Sequence, residues 1–121
     1  MHAGSRRGII LVVEDEWLLR DDIVDAFKTA GWEVLEASTG EGAIGLLGGE
    51  RRIDVLMTDI QLAGYLSGWD VADAFRAAQP EMPVIYASGN VIDQSRAVAN
   101  SLFFGKPYKT AEILDACCRF I

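Results

Sequence analysis

At 121 residues, the chain is long enough for one domain with its own hydrophobic core. Half of its residues are hydrophobic, which excludes an intrinsically disordered chain. Its formal net charge of −7 argues against binding to bulk nucleic acid or to an anionic membrane surface, because both require a basic face.

Strands and helices are predicted to alternate along the chain. Short apolar runs predict five strands, at residues 9–13, 32–37, 54–58, 83–87 and 102–104. Apolar residues at helical spacing predict five helices, at about 16–30, about 39–47, 70–79, roughly 91–99 and from about 110 onward. This alternation is typical of a parallel sheet with helices on both faces. With no repeat or linker in the sequence, we predict one domain at 9–121 behind an N-terminal tail at 1–8.

The lack of long apolar runs and of a disulfide pattern favours a cytoplasmic protein. No apolar run approaches the length of a membrane span, and the five residues of "IILVV" are too short for the core of a secretory signal. The two cysteines, Cys117 and Cys118, are adjacent and poorly placed to bridge one another. There is no CxxC or Cys/His cluster, so we predict neither a disulfide framework nor a zinc site, and expect reduced thiols.

Polar side chains follow four of the predicted strands. Glu14 and Asp15 come after the first strand, Asp59 after the third, Ser88 after the fourth and Lys106 after the fifth. In sheets of this class, ligands bind beyond the carboxyl ends of the strands, where the strand order reverses. If the order is 2-1-3-4-5, the second strand is at an edge and these polar groups converge on one crevice.

The predicted crevice has the donors for a magnesium site and for phosphoryl chemistry. Three carboxylates form a hard oxygen site that suits Mg2+, and a bound cation would offset the repulsion between Glu14 and Asp15. One aspartate would act as the nucleophile, while the lysine and the serine would hold the transferred oxygens. The alternative is that the acids after the first strand are ordinary acids at a helix start.

Four stretches in this order, "LVVEDE", "MTDIQLAG", "VIYASGN" and "FFGKPY", carry a resemblance to a known family. Over essentially residues 8–121, the chain resembles the receiver domain of bacterial two-component response regulators, of the single-domain, CheY-like type. The resemblance implies a flavodoxin-like, doubly wound, five-stranded parallel sheet of order 2-1-3-4-5.

The resemblance also implies roles for the acids. Asp59 would accept a phosphoryl group from the phosphohistidine of a sensor histidine kinase or a phosphotransfer protein. Glu14 and Asp15 would hold Mg2+, with Asp15 as the more direct ligand. Asp59 itself and the backbone carbonyl of Gln61 would complete the protein's share of the coordination.

The resemblance further implies that Ser88 and Phe103 form a conformational switch and that Ser88 and Lys106 assist the chemistry at Asp59. Ser88 would supply the hydroxyl that moves to the phosphoryl group, Lys106 its cationic partner, and Phe103 the aromatic switch residue. The bond between Lys106 and Pro107 is usually cis in this family. The output would be an unidentified protein partner, a homodimer is allowed, and neither direct nucleic-acid binding nor membrane binding is expected.

The loop after the third strand departs from the family pattern. A proline usually lies four residues after the phosphoacceptor, but Ala63 stands there, and the "AGYLSG" stretch looks one residue longer than usual. Because alanine and Gly64 fix the backbone less than a proline would, we predict that the 62–68 loop is more mobile than its neighbours.

Three other functions compete with the receiver hypothesis. The "GEGAIG" stretch at 40–45 fits the glycine pattern of a dinucleotide-binding site, but "AST" separates it from the preceding strand, and the acids would stay unexplained. An aspartate-nucleophile phosphatase needs an acid two residues after the nucleophile, where this chain has Gln61. A non-phosphorylated interaction module of the same fold is the third alternative.

Overall fold

The computed structural model describes residues 8–89 and 93–120, and they form one parallel sheet flanked by helices. The strands are β1 (Ile9–Val13), β2 (Glu33–Ala37), β3 (Val55–Thr58), β4 (Val84–Ser88) and β5 (Leu102–Gly105). The helices are α1 (Trp17–Thr29), α2 (Gly40–Gly45), α3 (Gly68–Ala78) and α4 (Thr110–Phe120). Every strand pair is parallel and the strand order is β2-β1-β3-β4-β5, so the predicted flavodoxin-like fold and its strand order are confirmed.

Two apolar cores lie on opposite faces of the sheet. Along β1, Ile10 and Val12 belong to one core while Leu11 and Val13 belong to the other, because successive side chains of a strand point to opposite faces. The first core includes the buried residues of α1 and α4, and the second includes those of α2 and α3. Central strands covered on both faces explain the short, continuous apolar runs of the sequence.

The start of α3 is fixed by its sequence. Ser67 and Asp70 form a capping box, in which each side chain accepts a hydrogen bond from the other residue's backbone N–H. The helix therefore begins at Gly68, two residues before its predicted start. Its end, near the predicted one, lies just ahead of Pro80, which cannot continue a helix.

One predicted helix is wrong over the residues that the structure describes. Residues 93–100 form turns, and the rest of the helix predicted at 91–99 lies outside the described residues. Side chains compete here for the backbone groups that a helix would use. Asp93 accepts from the backbone N–H of Ser95, and the hydroxyl of Tyr86 accepts from that of Val98.

Two predictions concern the ends of the chain. Of the predicted tail at 1–8, the structure describes Gly8, whose carbonyl accepts a hydrogen bond from the backbone N–H of Glu33. Ile121, which the sequence placed on the apolar stripe of the last helix, lies outside the described residues. Among the described helices, none is both long and apolar enough to cross a membrane.

Candidate functional site

The carboxyl edge of the sheet brings the predicted polar residues together. Glu14 and Asp15 follow β1, Asp59 follows β3, Ser88 ends β4 and Lys106 follows β5. These strands are neighbours in the order β1-β3-β4-β5, so their ends meet at one place. The structure therefore has the convergence that was predicted from the sequence.

Lys106 joins two of the three acids. Its ammonium Nζ donates to Asp59 Oδ2 over 2.7 Å and to Glu14 Oε1 over 2.9 Å. Burial acts to lower the pKa of Lys106, but the hydrogen bonds and charges of the two carboxylates outweigh it and leave the pKa above its ordinary value. The lysine is therefore a fixed positive charge inside the acid cluster at neutral pH.

Glu14 is held in place although it is a buried acid. Only 3% of the residue is exposed, and its Oε2 accepts from the backbone N–H of Glu16 over 3.1 Å. Burial is the largest influence and raises the pKa of Glu14, with Asp59 adding to the rise while Lys106 and the Glu16 N–H oppose it. The end of β1 is also held by Arg20, whose guanidinium donates to the carbonyl of Glu14 over 2.8 Å.

Hydrogen bonds to both carboxylate oxygens hold the side chain of Asp59 in place. Oδ1 accepts from the backbone N–H groups of Ile60, over 2.6 Å, and of Gln61, over 3.3 Å, while Oδ2 accepts from Lys106. Its own backbone N–H donates to the carbonyl of Val13 in β1 over 2.9 Å. The residue is buried, with 7% of its surface exposed.

Three acids form a set that fits a divalent cation. One ligand oxygen each from Glu14, Asp15 and Asp59 lies within 4.8 Å of the others. Glu14 and Asp59 are buried while Asp15 is exposed, so two of the ligand groups lie inside the protein and the third is in contact with water. An all-oxygen donor set of this kind, with room for waters, is the type that Mg2+ prefers.

The predicted switch residues lie on the two strands beside this cluster. Ser88 is buried at the end of β4, and its carbonyl accepts from the backbone N–H of Lys106 over 2.9 Å. Phe103 stands opposite Tyr86 in the register of β4 and β5 and packs, half-buried, against the core under α3. The peptide bond between Lys106 and Pro107 is cis.

Two residues beside Asp59 were not singled out from the sequence. The hydroxyl of Thr58 donates to the carbonyl of Asp59 over 2.7 Å. A Cβ atom on Gly68 would lie 2.0 Å from the same carbonyl oxygen, so α3 can approach Asp59 this closely only with a glycine at its start. Two features of the sequence could have pointed to them. Thr58 is the polar last residue of a buried strand, and Gly68 follows Ser67, a residue type that often caps a helix.

The fold and this acid cluster define a class of protein. A family model for the response regulator receiver domain matches residues 10–117, so the chain belongs to that family, which is a family of signalling domains. The resemblance inferred from the sequence is therefore confirmed.

Individual relatives agree with this assignment. A response regulator receiver protein from Sinorhizobium medicae superimposes with a TM-score of 0.90 at 31% identity, covering 98% of this chain and 96% of that one. Sporulation initiation phosphotransferase F of Bacillus subtilis is 24% identical over 116 residues, which are 93% of this chain and 92% of that protein. The TrrA response regulator of Thermotoga maritima, crystallised with Mg(2+)-BeF, has the same fold, with a TM-score of 0.81 at 24% identity and coverage of 94% of this chain and 99% of that one. The chain spans about half or less of the length of several other curated relatives that it matches.

Proposed function

We propose that this chain is the phosphoacceptor of a two-component phosphorelay and that Asp59 receives the phosphoryl group. The observation that carries the proposal is the contact of Lys106 with both Asp59 and Glu14, with the Asp15 carboxylate beside them. A lysine that only neutralised surface charge would not need to be held inside a cluster of buried acids.

The proposed step is a transfer from a phosphohistidine to a carboxylate. An oxygen of Asp59 attacks phosphorus, a P–O bond forms, the P–N bond to the imidazole breaks, and the imidazole leaves with the bonding electrons. The buried carboxylate is oriented before the reaction by the backbone N–H groups of Ile60 and Gln61, so little reorganisation is needed. Lys106 stabilises the charge that spreads over the transferred oxygens.

The metal ligands would be Glu14, Asp15, Asp59 and the backbone carbonyl of Gln61. Bound Mg2+ would neutralise the negative charge that gathers between the phosphoryl group and the acids. The TrrA relative, crystallised with Mg(2+)-BeF, supports this choice of metal. Without a cation, the ammonium of Lys106 is the positive charge that contacts both Glu14 and Asp59.

The signal would leave the site through Ser88 and Phe103. A phosphoryl oxygen offers Ser88 a charge-assisted hydrogen bond, and its movement makes room for Phe103, which lies one strand away. The receiver domain would comprise residues 9–121. Its partners would be a histidine kinase or phosphotransfer protein and an output protein, and its own catalysis would be limited to phosphotransfer and autodephosphorylation.

The test is phosphorylation by acetyl phosphate, followed by intact mass. We expect one added phosphoryl group in the presence of Mg2+, and none after chelation or in Asp59→Asn. Asp54→Asn is a matched control, because Asp54 precedes β3 at the opposite edge of the sheet and should leave labelling intact. Labelling that survives in Asp59→Asn would refute the assignment and favour another acceptor.

A further inference from the structure

The turn that opens α2 lies against the loop at 62–68. Thr39 forms an isolated parallel bridge with Ala63, so the backbones of the turn and the loop run side by side. Gly40 is buried, and a Cβ atom there would lie 2.8 Å from Cβ of Leu66. The first glycine of the 40–45 motif is therefore a point of close contact with the loop that follows Asp59.

Glu41 holds the tip of the same loop. Its Oε2 accepts from the backbone N–H of Tyr65 over 3.1 Å. This hydrogen bond is the main reason why the pKa of Glu41 lies below its ordinary value, so the side chain is ionised at neutral pH. Gly64 has a φ of +94°, a conformation that favours glycine, and a Cβ atom there would lie 2.9 Å from Glu41 Oε1.

The other end of the loop is joined to the phosphoacceptor. The backbone N–H of Gly68 donates to the carbonyl of Ile60 over 2.8 Å, which closes the loop at its base. Gln61 directly precedes the loop, and its backbone N–H donates to Asp59 Oδ1. The base of the loop is thus held by Ile60 and its tip by Glu41. Gln61 directly follows Ile60 in the chain, next to the base.

We infer that Glu41 is a positioning residue for the metal-dependent chemistry of Asp59, acting through the 62–68 loop, which directly follows the Gln61 carbonyl. The inference rests on the proposed function, in which that carbonyl is a metal ligand. A ligand loop that is held before the metal arrives loses less conformational freedom on binding, which raises affinity. The Glu41 contact restrains a loop that lacks a proline at position 63, and it gives the glycine motif a role other than dinucleotide binding.

The test compares Glu41→Ala with Glu41→Gln. Both variants remove the charge, but the glutamine keeps an amide oxygen that can accept from the Tyr65 N–H. Glu50→Gln is the control, because Glu50 is an exposed acid in the connection between α2 and β3. Mg2+ affinity is measured by intrinsic fluorescence without a phosphoryl donor, and the rate of acetyl phosphate labelling is then measured across Mg2+ concentrations.

We expect Glu41→Ala to lower Mg2+ affinity by about threefold to tenfold, the range that corresponds to one lost hydrogen bond. Glu41→Gln should lose less, and Glu50→Gln should match the wild type. The labelling rate of Glu41→Ala should be reduced at low Mg2+ and recover at saturating Mg2+, because the chemical groups on Asp59 and Lys106 are untouched. Hydrogen exchange of the 62–68 loop should increase in the same variant.

Several results would overturn the inference. They are wild-type Mg2+ affinity in Glu41→Ala, equal losses in the alanine and glutamine variants, a rate deficit that persists at saturating Mg2+, and unchanged exchange in the loop. Equal losses would assign the effect to charge alone. A wild-type chain that is not labelled on Asp59, or is labelled without Mg2+, would overturn the proposed function instead, and this result is recognised before any variant is compared.

Discussion

The loop after β3 and the segment after β4 follow neighbouring strands, but they are attached to the protein in different ways. Residues 62–68 are held by backbone pairing, by close approach at glycines and by one carboxylate, and Gly68 at the end of the loop packs against the backbone of Asp59. Residues 93–101 are attached largely through side chains: Arg76 of α3 and Tyr86 of β4 reach the backbone of the segment, and Arg96 of the segment reaches Asp73 of α3. From this difference we expect 62–68 to position the groups around Asp59 and 93–101 to change its arrangement when Asp59 is phosphorylated.

The side-chain attachments of the second segment have specific geometry. Arg76 donates to the carbonyl of Ala99 over 2.6 Å, and Arg96 forms ion pairs with Asp70 and Asp73 on α3. Exposed ion pairs of this kind contribute little to stability and can be exchanged at small cost. We therefore expect phosphorylation of Asp59 to alter the arrangement of 93–101 and to leave 62–68 in place.

The largest effect is expected from Gly68→Ala, which attacks the close approach behind Asp59. The added Cβ would lie 2.0 Å from the Asp59 carbonyl oxygen, so backbone must shift, and overpacking of this kind costs about 2 kcal/mol or more. Labelling by acetyl phosphate should fall at least about tenfold, because a small displacement of Asp59 misaligns the attack. Denaturant unfolding and initial labelling rates provide the measurements.

Gly45→Ala is the matched control for that variant. It changes a helical glycine in the same way, but its Cβ atom would meet nothing within 4 Å. Stability should be unchanged or should rise, by up to about 1 kcal/mol, because alanine is the better helix former. Equal losses in the two variants would show that close contact at Gly68 is not the reason for the effect.

Tyr86→Phe should loosen the second segment by an intermediate amount. The phenol hydroxyl accepts from the backbone N–H of Val98 over 3.1 Å, and its ring packs against Trp69 at 4.8 Å between centroids. Phenylalanine keeps the ring and loses the acceptor, which should cost about 1 kcal/mol. Hydrogen exchange should increase at Val98 and its neighbours, whereas unchanged exchange at Val98 would contradict this attachment.

Arg96→Ala should have a smaller effect, confined to the segment. Its pairs with Asp70 and Asp73 are exposed, so global stability should stay within the error of denaturant unfolding. In the wild type, exchange in 93–101 should increase with added salt, because salt screens exposed charges, and this salt response should be weaker in the variant. Arg52→Ala, which removes an exposed pair with Asp54 at the opposite edge of the sheet, should leave the salt response unchanged.

The smallest effect is expected from acid, through protonation of Glu41 at the tip of the 62–68 loop. The folded-state pKa of Glu41 is lowered from 4.5, chiefly by the Tyr65 N–H. Its contribution is therefore fully present above 4.5 and is lost as the pH falls through the lower folded-state value. Exchange at Tyr65, corrected for the intrinsic effect of pH, should increase over that window in the wild type and not in Glu41→Gln. Exchange at Ser67 should respond in both, because its N–H donates to Asp70, whose pKa is also lowered by that bond. An identical response at Tyr65 in both would assign it to another group.

The sequence predicted the sheet and the acid cluster because their signals are local. Buried parallel strands are continuous apolar runs, and the polar residue that ends each run lies at the carboxyl edge of the sheet, as Asp59 and Lys106 do. The strand order 2-1-3-4-5 entered first as a condition under which these residues converge and then as an implication of the family resemblance, and the structure confirms it. The predicted roles of Gln61, Ser88 and Phe103 stay predictions.

The contacts between distant loops could not be predicted in this way. Glu41 meets Tyr65 across 24 positions of the chain, and no periodic pattern marks such a pair. The helix expected at 91–99 was wrong over 93–99 because Tyr86 takes a backbone N–H that a helix would have used, and Tyr86 lies in another element. The mobility predicted for 62–68 stays a prediction, and the Glu41 contact acts against it.

The most direct test of the account is hydrogen exchange of the Mg2+-loaded chain before and after labelling with acetyl phosphate. Peptide mass spectrometry of the same sample locates the phosphoryl group. We predict that the group lies on the peptide that contains Asp59, that exchange changes within 93–101, and that 62–68 keeps its protection. A label on another residue, or a change confined to 62–68, would contradict the division between the two regions.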